Sequence, residues 1–207
     1  MKKEFMKYLG FLFGVFFSVQ VIASQPIPVV PLNQYLAAID YSKEGVQAGC
    51  GLRIDGETAS NLWINVLVNV FVRESGTMFG MFKVFARKIN MKNGVPLIQD
   101  GKVTYSSIGR IHEGWIKTDS GAQFSAGKNG GSPHNDGYMA VMEFDNAIDL
   151  LTAIPQTNFR VGFSKKEDGP EMVFKFNKRI TQDEADKLSS CMKNLRDARE
   201  EKGKTSL

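Results

Sequence analysis

The stretch NLWINVLVNVFVRESGTMFGMFKVFARKI, Asn61–Ile89, decides the fold class. Ile64, Val66, Val68, Val70 and Val72 alternate with Trp63, Asn65, Leu67, Asn69 and Phe71. Successive side chains of an extended chain point to opposite faces, and β-branched and aromatic residues suit a pleated surface. The run reads as a strand, and a second runs from Met78 to Ile89. ESGT joins them, with Ser75-Gly76 suited to a two-residue hairpin loop. That loop sets Val72 opposite Phe79, Val70 opposite Met81, Val68 opposite Lys83 and Val66 opposite Phe85. The other face pairs Leu67 with Val84, Asn69 with Phe82 and Phe71 with Gly80. Both faces are then largely apolar, whereas a solvated antiparallel sheet keeps one polar face. The expectation is a central hairpin covered on both sides, in a register that one extra loop residue would change.

Outward from this hairpin the pattern stays mainly β. Val103–Lys117 reads as one long strand bent at Gly109. AQFSA is a short strand, and Gly137–Phe144 a longer one. NFRVGFS places Phe159, Val161 and Phe163 on one face, and EMVFKF does the same with Met172, Phe174 and Phe176. NGVPL and KEDGPE are turns by their Gly and Pro content. Three helices interrupt the series. LNQYLAAID predicts a short N-terminal helix, and AIDLLTAI a second, capped by Asp145 or Asn146 and stopped by Pro155. The third follows Thr181, whose spacing to Glu184 is that of a capping box; Ala185, Leu188, Cys191 or Met192, and Leu195 then recur at helical intervals. The fold class is an antiparallel sheet, a β-sandwich or an α+β arrangement, with a C-terminal helix.

The amino terminus carries an export pattern. Lys2, Lys3 and Lys7 precede the apolar run Tyr8–Ala23, with Val21 and Ala23 where small residues precede cleavage, after Ala23 or after Ser24. The run is shorter than the about 20 residues of a bilayer span and is broken by Ser18 and Gln20. It reads as a cleaved secretory signal over 1–24, with no membrane span after cleavage. The remainder, about 183 residues, suits a single domain. It divides into an extended segment and short helix at 25–46, a β domain at 47–180, a helix at 181–201 packed on it, and a disordered tail at 202–207. Removing Lys2, Lys3, Lys7 and Glu4 takes away two of the four net positive charges. Little remains to attract nucleic acid or an anionic membrane. Lys83 and Arg87 among Phe79, Met81 and Phe85 resemble a nucleic-acid face only superficially, and their stems are expected to pack near a sheet edge.

Cys50 and Cys191 are the only cysteines, and in an exported chain they read as one disulfide. The chemistry-bearing residues are sparser. SAGKNGGSPHNDGYMAV, Ser125–Val141, gathers Lys128, His134 and Asp136 among glycines. Its composition resembles an anion-binding nest, but the Walker spacing is absent. His134, Asp136 and His112 come from two separate segments without metal-ligand spacing. The expectation is an ordinary exposed loop. Glu113, Glu143 and Asp145 offer carboxylates without a partner motif, and no serine stands in a nucleophile elbow. Trp63 and Trp115 are candidates for a carbohydrate platform, though burial in a core is the commoner fate of tryptophan.

These observations point to a periplasmic or secreted, disulfide-stapled, non-catalytic protein of the bacterial envelope. It would bind another protein or an envelope component and needs no metal or cofactor. The alternative is a small extracytoplasmic hydrolase using His112 or His134 with Asp136 or Glu113.

Overall fold

A computed structural model describes residues 26–43, 45–127, 130–131, 136–166 and 169–205. The expected signal segment, 1–24, lies outside them. The chain is mainly β, with fourteen strands and two helices among the described residues. Its large sheet is built from β1 (Asn33–Lys43), β2 (Val46–Glu57), β3 (Leu62–Val72), β4 (Met78–Ile89) and β12 (Gly137–Met142), in that spatial order, with β9 (Tyr105–Ser107) also pairing β4. A four-stranded sheet has the order β11 (Gln123–Ser125), β10 (Glu113–Thr118), β13 (Phe159–Ser164), β14 (Glu171–Phe176). All these pairings are antiparallel. The helices are α1 (Phe144–Ala153) and α2 (Gln182–Thr205).

The expected N-terminal helix is instead β1, paired to β2 along its whole length. A helix of nine residues is marginal on its own, whereas a full ladder of cross-strand bonds is available once β2 is extended. The β3–β4 hairpin forms, but in the neighbouring register. Val72 faces Met78, Phe71 faces Phe79, Val68 faces Phe82 and Val66 faces Val84. The loop is one residue longer than expected: Gly76 N–H donates to Arg73 O, Arg73 N–H donates to Thr77 O, and Gly76 takes a φ of 78°. That is a type I turn closed by a left-handed glycine, the three-residue hairpin.

The register keeps Leu62, Ile64, Val66, Val68 and Val70 on one face with Phe82, Val84 and Ala86, all buried. This face packs against the four-stranded sheet, whose inner side stacks Phe159 on Phe176 and Phe163 on Phe174. Both helices cover the same face, α1 over β3 and β4 and α2 over β1 and β2. The other face is not buried as expected. Trp63, Leu67 and Phe71 of β3 and Phe79, Met81 and Phe85 of β4 are each only partly covered.

The long strand expected over 103–117 is three pieces. After β4 the chain makes two small hairpins, β5 (Met91–Lys92) with β6 (Val95–Pro96) and β7 (Ile98–Gln99) with β8 (Lys102–Val103). Asn93-Gly94 and Asp100-Gly101 turn them, all four residues at positive φ, the type I′ geometry. β9 then returns to β4, and the chain crosses to the second sheet at Gly109, whose φ is 94°. The bend was expected at this residue; the change of sheet was not.

Helix α1 begins at Phe144, with Glu143 rather than Asp145 or Asn146 at its N-cap. Helix α2 begins after Thr181, whose Oγ accepts from Glu184 N–H at 3.4 Å. The Glu184 carboxylate does not return to close a capping box. It accepts from Ala38 N–H on the edge strand β1 at 2.7 Å and from Lys187. These bonds, Lys187's first, hold its carboxyl below the ordinary glutamate range. α2 continues to Thr205, past the boundary at 201 and into the segment expected to be a disordered tail. Cys50 of β2 and Cys191 of α2 form a disulfide, with Cα atoms 5.9 Å apart.

Candidate functional site

The partly covered face of the large sheet is the candidate site. It is formed by odd-numbered residues because the register pairs odd with odd across β1, β2, β3, β4 and β12. Among the described residues, no helix or second sheet lies over it. Its apolar side chains gain cover sideways instead. Phe71 lies against the backbone of Gly49 on the neighbouring strand, and Phe85 against Gly137, so that a Cβ at either glycine would collide with the ring. An aromatic side chain laid over a cross-strand glycine buries one side of its ring without any covering layer.

The rings form connected groups. Tyr41, Phe71 and Phe79 follow one another with centroids 5.0 and 5.7 Å apart. Met81 follows on β4, and Val141, 62% exposed, stands opposite Met81 on β12. At the other end of the face Trp63 tilts against Tyr105 at 5.3 Å, beside a shallow depression shared with Tyr35, Arg53, Asp55 and Glu57. Trp63 is therefore a surface residue and not a core one.

Charge on the face is largely held in place. Arg53 pairs with Asp55 at 2.7 Å, and Asp55 also accepts from Asn65 at 2.9 Å. Arg87 pairs with Asp136 at 2.9 Å. Arg73 sits 4.9 Å from the centroid of Phe79, and Lys83 Nζ 4.3 Å from that of Phe85. Burial lowers the Lys83 ammonium from its ordinary value. Burial also raises the Tyr41 hydroxyl, an effect partly offset by the nearby Asn69 amide. The sum is an aromatic surface crossed by cations that lie on rings. It is suited to contact rather than to proton transfer.

Those of the residues singled out in the sequence that are described lie on several different elements. Asp136 opens β12: its carboxylate holds Arg87 and its carbonyl accepts from Ala86 N–H. Lys128 and His134 lie outside the described residues. The described part of their loop is tied down by Tyr138, whose hydroxyl donates to Gly127 O at 2.9 Å. Burial, and then the charge of Glu113, raise that hydroxyl above the ordinary tyrosine range, against a lowering contribution from the Gly130 backbone. His112 lies at the crossing between sheets, its N–H bonded to Ser164 O. Glu143 occupies the N-cap position of α1 without a side-chain capping bond, and Asp145 lies in its first turn. Among the described residues no three His, Cys, Asp or Glu side chains gather as metal ligands would.

The face is legible in the sequence as a double apolar alternation, a pattern that reads as double burial. What could not be read was that Gly49 and Gly137 provide beds for the rings. Comparison of the chain with family models, with curated proteins and with solved structures found no match.

Proposed function

We propose that this protein is an exported, non-catalytic binding protein of the bacterial envelope. Its signal segment is removed, and the open face of its large sheet docks another protein or an envelope component. One observation carries the reading: Tyr41, Phe71, Phe79, Met81 and Val141 form a continuous apolar surface with no covering element among the described residues. Contiguous exposed apolar surface on a folded protein marks an interaction site more often than chance. Aromatic residues and methionine with interspersed arginine are the composition enriched where proteins meet. The disulfide is compatible with an extracytoplasmic compartment, since such bonds persist where thiols are not kept reduced.

The test is site-specific photocrosslinking in the envelope of the source cell. A photoreactive residue at Phe79 and another at Val141 are expected to trap the same adduct. One at Ser189, exposed on α2, is expected to trap none. The paired substitution Met81→Glu and Val141→Glu should abolish the adduct while the melting curve stays unchanged. Absence of an adduct at both face positions, or the same adduct from Ser189, would refute the docking face.

A further inference from the structure

We propose that the outer side of the four-stranded sheet carries a second, independent site: a shallow subsite for a pyranose oligosaccharide, built on Trp115. Cross-strand pairing sets Trp115 of β10 opposite Gly162 of β13. A Cβ at Gly162 would collide with Cε2, Cζ2 and Nε1 of the indole at nearly equal distances. Three contiguous ring atoms equidistant from one point mean that the ring lies flat across the glycine backbone. The indole N–H is taken by Glu171 Oε1 on β14, at 3.0 Å. Two restraints thus hold the ring before any ligand arrives, which lowers the ordering cost of binding.

The ring borders a cleft of about 690 Å³, also lined by Lys117, Gln123, Ser125, Asn146 and Glu171. All five of those side chains belong to exposed residues. The chemistry of this lining selects the ligand. A flat aromatic surface accepts the C–H side of a sugar ring. The surrounding groups offer both donors and acceptors for hydroxyls: ammonium, two amides, a hydroxyl and the second oxygen of Glu171. A phosphate or nucleotide would meet one cation and one carboxylate, with no net attraction. A wholly apolar ligand would strip water from five polar side chains without replacing it. A neutral, polyhydroxylated ring satisfies both the aromatic bed and its rim.

The chain's two tryptophans make the site readable. In a Trp63→Phe variant Trp115 is the sole indole, and its fluorescence reports the cleft. Titration with cellotetraose, chitotetraose and maltotetraose is expected to give a saturable change with at least one of them. Calorimetry on the parent chain with that sugar should then show binding weakened about two- to tenfold by Trp115→Ala, the scale of losing an aromatic stack. Should Trp115→Ala fail to fold, Lys117→Ala and Asn146→Ala, at exposed positions, are expected to weaken binding severalfold without shifting the melting curve. Met81→Glu with Val141→Glu, on the opposite side of the molecule, should leave sugar binding intact, which separates this site from the docking face. No saturable response to any of the three sugars overturns the proposal. So does binding that a folded Trp115→Ala variant, or the Lys117 and Asn146 variants, leave unchanged.

Discussion

Asn69 stands at the centre of β3, fully buried on the open side of the sheet. It lies against Gly51 on the neighbouring strand. Tyr41 comes near its amide, yet neither polar atom reaches hydrogen-bonding geometry with any described residue. An unsatisfied buried amide costs about 1–3 kcal/mol, while an apolar side chain of the same shape carries no such penalty. Asn69→Leu, nearly the same volume, is therefore expected to raise stability by about 1 kcal/mol in denaturant unfolding. A loss of stability of that size would show that the amide is bonded in solution.

At the scale of elements, the disulfide and the helix it holds are the testable pair. α2 meets the core through Leu188, Cys191 and Leu195, with Met192 packed beside them, a narrow stripe on a helix that is otherwise mostly polar. Its other attachments are the Glu184 bond to Ala38 N–H and the cystine itself. The cross-link spans 141 residues of sequence, for which chain entropy sets an upper bound of roughly 5 kcal/mol. Half of that is a large share of a typical net stability of ~5–15 kcal/mol. Cys50→Ser with Cys191→Ser is expected to lower the melting temperature. It should also speed hydrogen exchange in α2 before any change in β3 and β4, which are held by neighbours on both sides. Exchange that rises equally in α2 and in the central strands would show that the bond supports the whole domain rather than the helix.

At the scale of the molecule, the two sheets are in tight contact at Gly114 of β10. A Cβ there would lie 2.8 Å from Tyr138 Cδ1 and 3.0 Å from Val84 Cγ1. Tyr138 and Val84 are fully buried in the large sheet, so neither can give way freely. Overpacking of a dense interior costs about 1–3 kcal/mol. Gly114→Ala should destabilise by that amount in equilibrium unfolding, whereas Gly131→Ala, where a Cβ would meet none of the described residues within 4 Å, should stay within about 0.5 kcal/mol. Equal effects at the two positions would mean that the sheets can separate at no cost. The same stacking leaves the large sheet with one covered and one open side, the asymmetry on which the docking proposal rests.

By itself the sequence determined the β character, the central hairpin, the cystine partners and the start of α2. Each of these is written locally or by elimination: period-two alternation in Leu62–Val72, two cysteines in all, Thr181 before a helical repeat. Tertiary structure alone decided the rest. The state of Asn33–Lys43 depended on β2 offering a ladder, which outweighed a weak helical preference. The hairpin register turned on one glycine, Gly76, closing a three-residue loop. The fate of Trp63 and Trp115, and of the odd-numbered face, depended on where glycines of neighbouring strands lay and on which side the helices settled. Alternation records that successive side chains face opposite ways; only packing settles whether a face meets protein or water.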